Sequence, residues 1–154
     1  MGKLYFAYGS NLNLTQMATR CPNAKQLGSS YLPNWRLVFR GVADIEHSGK
    51  SDDLLPIGIW KITDECEKRL DAYEGYPNLY KKITVNGNMT YIMNKKNVMP
   101  PSQSYFNSIL EGYNDFDLDT NHLYEALGWS HYTSKQYDWS APKKRFRPIF
   151  INKQ

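Results

Sequence analysis

The apolar and polar positions of this chain change period repeatedly, and the changes mark its elements. Residues 3–8 form a short aromatic and apolar run ending at Gly9, the pattern of a buried strand. After a loop at residues 9–12, Asn13 stands three residues ahead of Gln16, an N-cap signature that predicts a short helix ending at Cys21-Pro22. Residues 35–39 and 42–46 read as strands. Residues 55–62 read as a third, because Leu55, Ile57 and Ile59 fall on one face. Asp64 and Glu67 form a second capping pair. The helix they predict carries Cys66, Leu70 and Tyr73 on one stripe and stops at Glu74-Gly75, glycine suiting the left-handed residue past a helix end. Residues 80–85 and 89–93 flank Asn86-Gly87, the dipeptide preferred by type I′ hairpin turns. Pro100-Pro101-Ser102 opens a helix to about residue 111, and residues 119–127 predict another. Strands dominate the first 93 residues, with helices among and after them, which predicts an α+β protein with a mixed or antiparallel β core.

Composition fits that picture and excludes several alternatives. With 154 residues, 41% hydrophobic and 22% charged, the chain is globular rather than disordered. At this size folding buries roughly 68–70% of the unfolded surface, so neither disulfides nor metal are needed to hold it together. The two cysteines, Cys21 and Cys66, have no ligand-like spacing, and Cys66 reads as a small core residue. His47, His122 and His131 are scattered without partners at helical spacing, so no metal site is expected. The N-terminal stretch lacks the apolar segment of a secretory signal, and no window approaches a membrane span. The chain is therefore expected to be cytoplasmic, with no membrane partner.

Charge is unevenly placed. The formal total is +4, but residues 130–154 hold Lys135, Lys143, Lys144, Arg145, Arg147 and Lys153 against Asp138, a net +5. Residues 1–129 are thus close to neutral, unlike a body built to grip nucleic acid. Lys143-Lys144-Arg145-Phe146-Arg147 mixes cations with an aromatic ring, as single-stranded nucleic-acid binders do. An extension strand over residues 145–151 is the favoured reading, and nucleic acid is disfavoured as a partner. The division that follows is a domain at 1–129 and a basic aromatic extension at 130–154 packed on it.

Two segments carry candidate chemistry. In Tyr8-Gly9-Ser10-Asn11-Leu12, a glycine beside small polar residues lets backbone N–H groups converge on an anion, with a helix starting just beyond. An ordinary strand-to-helix turn is the alternative. No Gly-Lys-Ser/Thr follows, which excludes a Walker-type phosphate loop, and Ser10 lacks the frame of a hydrolase nucleophile. In Leu70-Asp71-Ala72-Tyr73-Glu74-Gly75-Tyr76-Pro77-Asn78-Leu79-Tyr80, Glu74 ends a helix among tyrosines. Rings strip water from a carboxylate, raise its pKa and make it a better base, although an acid at a helix C-terminus is also a common solvated residue.

Taken together, these segments resemble the gamma-glutamylcyclotransferase-like family, and in particular its gamma-glutamylamine cyclotransferase branch. That family opens with Tyr-Gly-Ser-Asn-Leu, matched by residues 8–12, and carries its catalytic acid in a segment matched by residues 70–80. A third match is Pro101-Ser102-Gln103-Ser104-Tyr105, followed by Ile109 and Gly112; residues 37–45 and 58–63 resemble the strands between. The likeness covers residues 3–127 or so. It implies a small mixed β-barrel with flanking short helices and a pocket at its mouth, and release of 5-oxoproline from a γ-glutamyl amine or amino acid without cofactor or metal. It implies Glu74 as general acid/base, and Tyr8, Gly9, Ser10, Asn11, Leu12, Tyr80 and Tyr105 as substrate-binding residues. A catalytically silent binding module on the same fold is the alternative. The glutamyl-reading motifs leave the departing amine open.

Overall fold

β1 (Lys3–Ala7) runs through the middle of the main sheet. Its Tyr5, Phe6 and Ala7 are buried in succession, as in a strand covered on both faces. It pairs antiparallel with β5 (Leu54–Ile62), Tyr5 opposite Trp60, and parallel with β7 (Asn88–Met93), Tyr5 opposite Met89. β2 (Lys25–Pro33) flanks β5 and β6 (Tyr80–Val85) flanks β7, giving the order β2-β5-β1-β7-β6. β3 (Trp35–Phe39) and β4 (Ala43–His47) form a separate antiparallel hairpin. Among the described residues four α-helices join the strands: α1 (Leu14–Arg20), α2 (Asp64–Glu74), α3 (Gln103–Asp115) and α4 (Asn121–Ser134). The structure, a computed structural model, describes residues 2–134; the strand expected at 145–151 and the rest of the basic segment beyond 134 lie outside the described residues.

The α+β class holds, but the barrel implied by the family likeness does not form. β2 and β6 are the two edges of an open sheet, and β3–β4 keeps its ladder to itself, joined at its turn to the segment after β7 by the Arg40–Met99 bridge. Closure requires a ladder on both sides of every strand. β2 was not predicted at all. Its sequence, KQLGSSYLP, is mostly exposed and loses register between Gln26 and Gly28, so it has neither the alternation nor the apolar run of an inner strand.

Local signals correspond closely to the remaining elements. The Asn13 side chain accepts from the Gln16 amide at 3.1 Å and caps α1. Asn86 and Gly87 have φ of +51° and +82°, both left-handed as a type I′ turn demands, with Val85 opposite Asn88. The cap of α2 is Thr63, not Asp64: its Oγ1 accepts from the Cys66 amide at 3.1 Å, leaving Asp64 and Glu67 in the first turn at the positive end of the helix dipole. Met17, Phe39, Ile45, Ile57, Leu70, Tyr91 and Leu123 are fully enclosed and form the core between sheet, hairpin and helices. Among the described residues no helix is long and apolar enough to cross a membrane, and no cluster of His, Cys, Asp and Glu could hold a metal ion.

Candidate active site

Where β1 ends, at the centre of the sheet, the chain makes one 3₁₀ turn over Ser10–Leu12. Leu12 N–H donates to the Gly9 carbonyl and Asn13 N–H to the Ser10 carbonyl, each at 3.0 Å. These bonds leave the Ser10 and Asn11 N–H groups unused within the turn, as the first amides of any helical turn are. A Cβ on Gly9 would stand 3.0 Å from the Ala43 Cβ and 3.5 Å from the Tyr105 hydroxyl. Glycine therefore lets the backbone itself line the cavity.

α3 braces the turn from behind. A Cβ on Gly112 would lie 2.6 Å from the Leu12 Cβ, 2.7 Å from the Leu12 carbonyl carbon and 2.8 Å from the Asn13 nitrogen. Two of those atoms are backbone, so only a shift of the turn could make room. Gly112→Ala is expected to destabilise the fold by about 1–3 kcal/mol, the usual range for overpacking. Urea denaturation checks this, and an unchanged stability would refute the tight approach.

Glu74 is the last residue of α2, and Gly75, with φ +68°, turns the chain away directly after it. The helix is pinned to the sheet by charge. Lys82 Nζ donates to Glu67 Oε2 at 2.7 Å and Asp71 Oδ2 at 2.9 Å, and Tyr91 OH donates to Asp71 Oδ1 at 2.6 Å. The half-buried Glu74 carboxylate faces the turn, where Asn11 Nδ2 donates to its Oε2 at 3.1 Å.

Asn11, buried to 3% exposure, connects the site. Its amide also donates to Tyr5 OH at 2.9 Å, its Oδ1 accepts from Arg20 Nη1 at 2.6 Å, and its carbonyl accepts from Trp60 Nε1 at 2.9 Å. Arg20 in turn donates to Ser10 Oγ at 3.2 Å, Gln16 Oε1 at 2.6 Å and Tyr73 OH at 2.5 Å, and lies 3.6 Å over the Tyr73 ring. Burial pushes the Glu74 carboxyl up to about 7, against the opposing pull of the Arg20 charge and the Asn11 bond. A carboxyl at that value exchanges protons near neutrality.

The tyrosines are sorted by what their hydroxyls already do. Tyr8 OH donates to the Tyr91 carbonyl at 2.8 Å, and Tyr80 OH to the Ala43 carbonyl at 2.7 Å. Tyr105 OH instead accepts from the Ala43 amide at 2.9 Å, so its own hydrogen is free to point at a ligand. Burial raises all three hydroxyls, which keeps them protonated.

Seven of the eight predicted site residues, all but Leu12, line one cavity of about 230 Å³. Leu12 is fully buried and faces away, where it would meet any side chain grown at Gly58 or Gly112. Tyr76 also stays out of the cavity; the Lys82 ammonium sits 4.4 Å from its ring centre. Tyr73 lines the wall but is 48% exposed, so the stripe expected on α2 buries only Cys66 and Leu70. Sequence reasoning missed Tyr5, Ala43 and Tyr91 in the lining and Arg20 behind it. The one sequence hint for Arg20 is its place four residues after Gln16 on a short helix beside the turn.

Residues 5–108 match the family model for gamma-glutamyl cyclotransferase, AIG2-like, a span that contains all three motif segments. Comparison with curated proteins finds no match. Among solved structures, one called gamma-glutamyl cyclotransferase is 23% identical, with 82% of this chain and 86% of that one aligned at a TM-score of 0.65. An uncharacterized human protein, loc79017, is 24% identical over 81% of this chain and 86% of its own, at a TM-score of 0.66. YkqA from Bacillus subtilis is 17% identical, with 88% of this chain but 54% of that one covered, at a TM-score of 0.65. At these identities the structural likeness is one of fold.

Proposed function

The chain belongs to the gamma-glutamyl cyclotransferase, AIG2-like family, and on that footing we propose that it releases 5-oxoproline from a γ-glutamyl amine or γ-glutamyl amino acid with Glu74 as general acid/base. The observation that carries this reading is the Glu74 carboxylate, held by Asn11 opposite the Gly9–Asn11 backbone and shifted to about 7 by its burial.

The substrate's own α-amine must attack its γ-carbonyl carbon, and at neutral pH that amine is an ammonium ion. Glu74 takes a proton from it. The freed nitrogen forms the ring C–N bond, and the protonated Glu74 gives its proton to the departing nitrogen as the old C–N bond breaks; the carboxylate then takes the second proton shed by the ring nitrogen and passes it to the released amine, which leaves as an ammonium ion. The Ser10 and Asn11 N–H groups receive the α-carboxylate, and Tyr105 donates to the oxygen that gains charge in the tetrahedral state. Because both reacting groups are on one molecule, holding it folded back supplies much of the acceleration. A silent binding module would have no use for a carboxylate kept from water in this way.

Incubation of the full chain with γ-glutamyl amines, γ-glutamyl amino acids and glutathione, followed by assay of 5-oxoproline, tests the proposal. Release from at least one class is expected; failure across all would favour the binding module. The pH profile tests the role of Glu74. Below its pKa the group is protonated and is no base, so kcat/KM should rise through about pH 7 and then level. The Arg20 charge holds that pKa down, so Arg20→Met should move the rising limb to higher pH. A limb that stays in place would remove Arg20 from the electrostatics of the site.

A further inference from the structure

A second, larger opening adjoins the catalytic cavity. A groove of about 620 Å³ is lined by Val42, Leu79, Met93, Met99 and Tyr105, with Lys95 and Arg40 as its ionised groups. Val42, Leu79 and Tyr105 belong to both spaces, so the groove and the cavity meet at these three residues.

Three features define what it would hold. The first is apolar surface left in water: Leu79 is 44% and Met99 45% exposed. Single exposed apolar side chains are ordinary, but these two share one groove with Val42 and Met93. The second is charge. Among the described residues no carboxylate lines the groove, and the Arg40 guanidinium is spent on Asp44 at 2.5 Å, Glu46 at 3.5 Å and the Lys96 carbonyl at 2.5 Å. The Lys95 ammonium has no partner among the described residues. The third is that the walls are fastened. Met99 N–H donates to the Phe39 carbonyl at 3.0 Å, Gly41 N–H to the Met99 carbonyl at 2.8 Å, and Leu79 N–H to the Gly75 carbonyl at 2.8 Å.

We propose that this groove receives the departing amine, and that it selects an apolar amino acid, joined through its α-nitrogen to the γ-glutamyl carbonyl, over a cationic amine. The inference rests on the cyclotransferase reading above. With the glutamyl unit in the smaller cavity, the scissile amide lies at the junction beside Tyr105. The side chain of the leaving group covers Met93, Met99 and Leu79, and its carboxylate meets Lys95. A diamine or a lysyl side chain would bring a second cation to a groove whose described lining offers the Lys95 ammonium and no acid, so like charges repel and its own charge goes unpaired.

The test compares γ-glutamyl derivatives of leucine, 3-methylbutylamine and 1,4-diaminobutane on the full chain, with kcat/KM read from 5-oxoproline. The expected order is leucine, then methylbutylamine, then diaminobutane. Along a series of straight alkylamines, kcat/KM should rise roughly three- to fourfold per methylene while the groove is filled. Lys95→Glu should lower the leucine-to-diaminobutane ratio by roughly tenfold, the range of two exposed charge contacts reversed together. Preference for the diamine, or a ratio unmoved by Lys95→Glu, would overturn the groove assignment and leave the reaction standing. Absence of 5-oxoproline from every compound would overturn the reaction, and the groove's role with it.

Discussion

Replacing Glu74 with glutamine is expected to reduce kcat for 5-oxoproline release by about 10²–10⁴-fold, the usual contribution of a positioned general acid/base. Glutamine has the shape of glutamate, and its carbonyl oxygen can still accept the 3.1 Å bond from Asn11. What it lacks is the ability to take the ammonium proton. The fold should not suffer, and the sign of the pKa shift says why. The Glu74 carboxyl is raised to about 7, so folding favours its protonated form. The stability this group contributes is present below the ordinary carboxylate pKa and is lost as pH rises through about 7. At pH 8 the uncharged glutamine variant should therefore be at least as stable as the parent. Turnover and urea denaturation measured side by side make the test. A variant that folds and still releases 5-oxoproline at the parental rate would end the proposed role; one that unfolds would show that the carboxylate is structural.

Asp44→Ala should act in the opposite sense, on the fold first, with a loss of about 3–5 kcal/mol. Asp44 is fully buried beside Arg40, itself 5% exposed, with their atoms 2.5 Å apart. Its other oxygen accepts the Met93 amide at 2.8 Å. Alanine would leave a buried guanidinium with only Glu46, 3.5 Å away and partly in solvent, as a charged neighbour, and would strand the Met93 amide. The neighbouring residue, Ala43, accepts from Tyr80 and donates to Tyr105, so the cavity wall would loosen as well. Denaturant midpoints should fall sharply and KM should rise. Asp44→Asn, which keeps an acceptor for Met93, should lose less. A loss below about 1 kcal/mol for the alanine variant would mean that Arg40 finds another partner.

These effects show where sequence and structure part company. The cap at Asn13, the helix start after Pro100-Pro101, the turn at Asn86-Gly87 and the stop at Gly75 were legible because each depends on residues a few positions apart. β2 was not, because an exposed edge strand needs no apolar pattern. The missing barrel has a related cause: closure depends on which edges meet, and no strand's own residues state that.

The site divides along the same line. Sequence alone determined that a carboxylate sits at a helix end among tyrosines and that a glycine-bearing turn follows the first strand. Those are facts of composition and spacing, and the family likeness rests on them. Tertiary structure decided what the groups do to one another. It set Asn11 between Glu74, Tyr5 and Arg20, turned Leu12 into the core, and gave Tyr105 a hydroxyl hydrogen to spare. It also joined the cavity to a groove floored by methionine and watched by Lys95. Burial and charge at a point are sums over neighbours brought from across the chain, so the raised pKa of Glu74 exists only once the chain has folded.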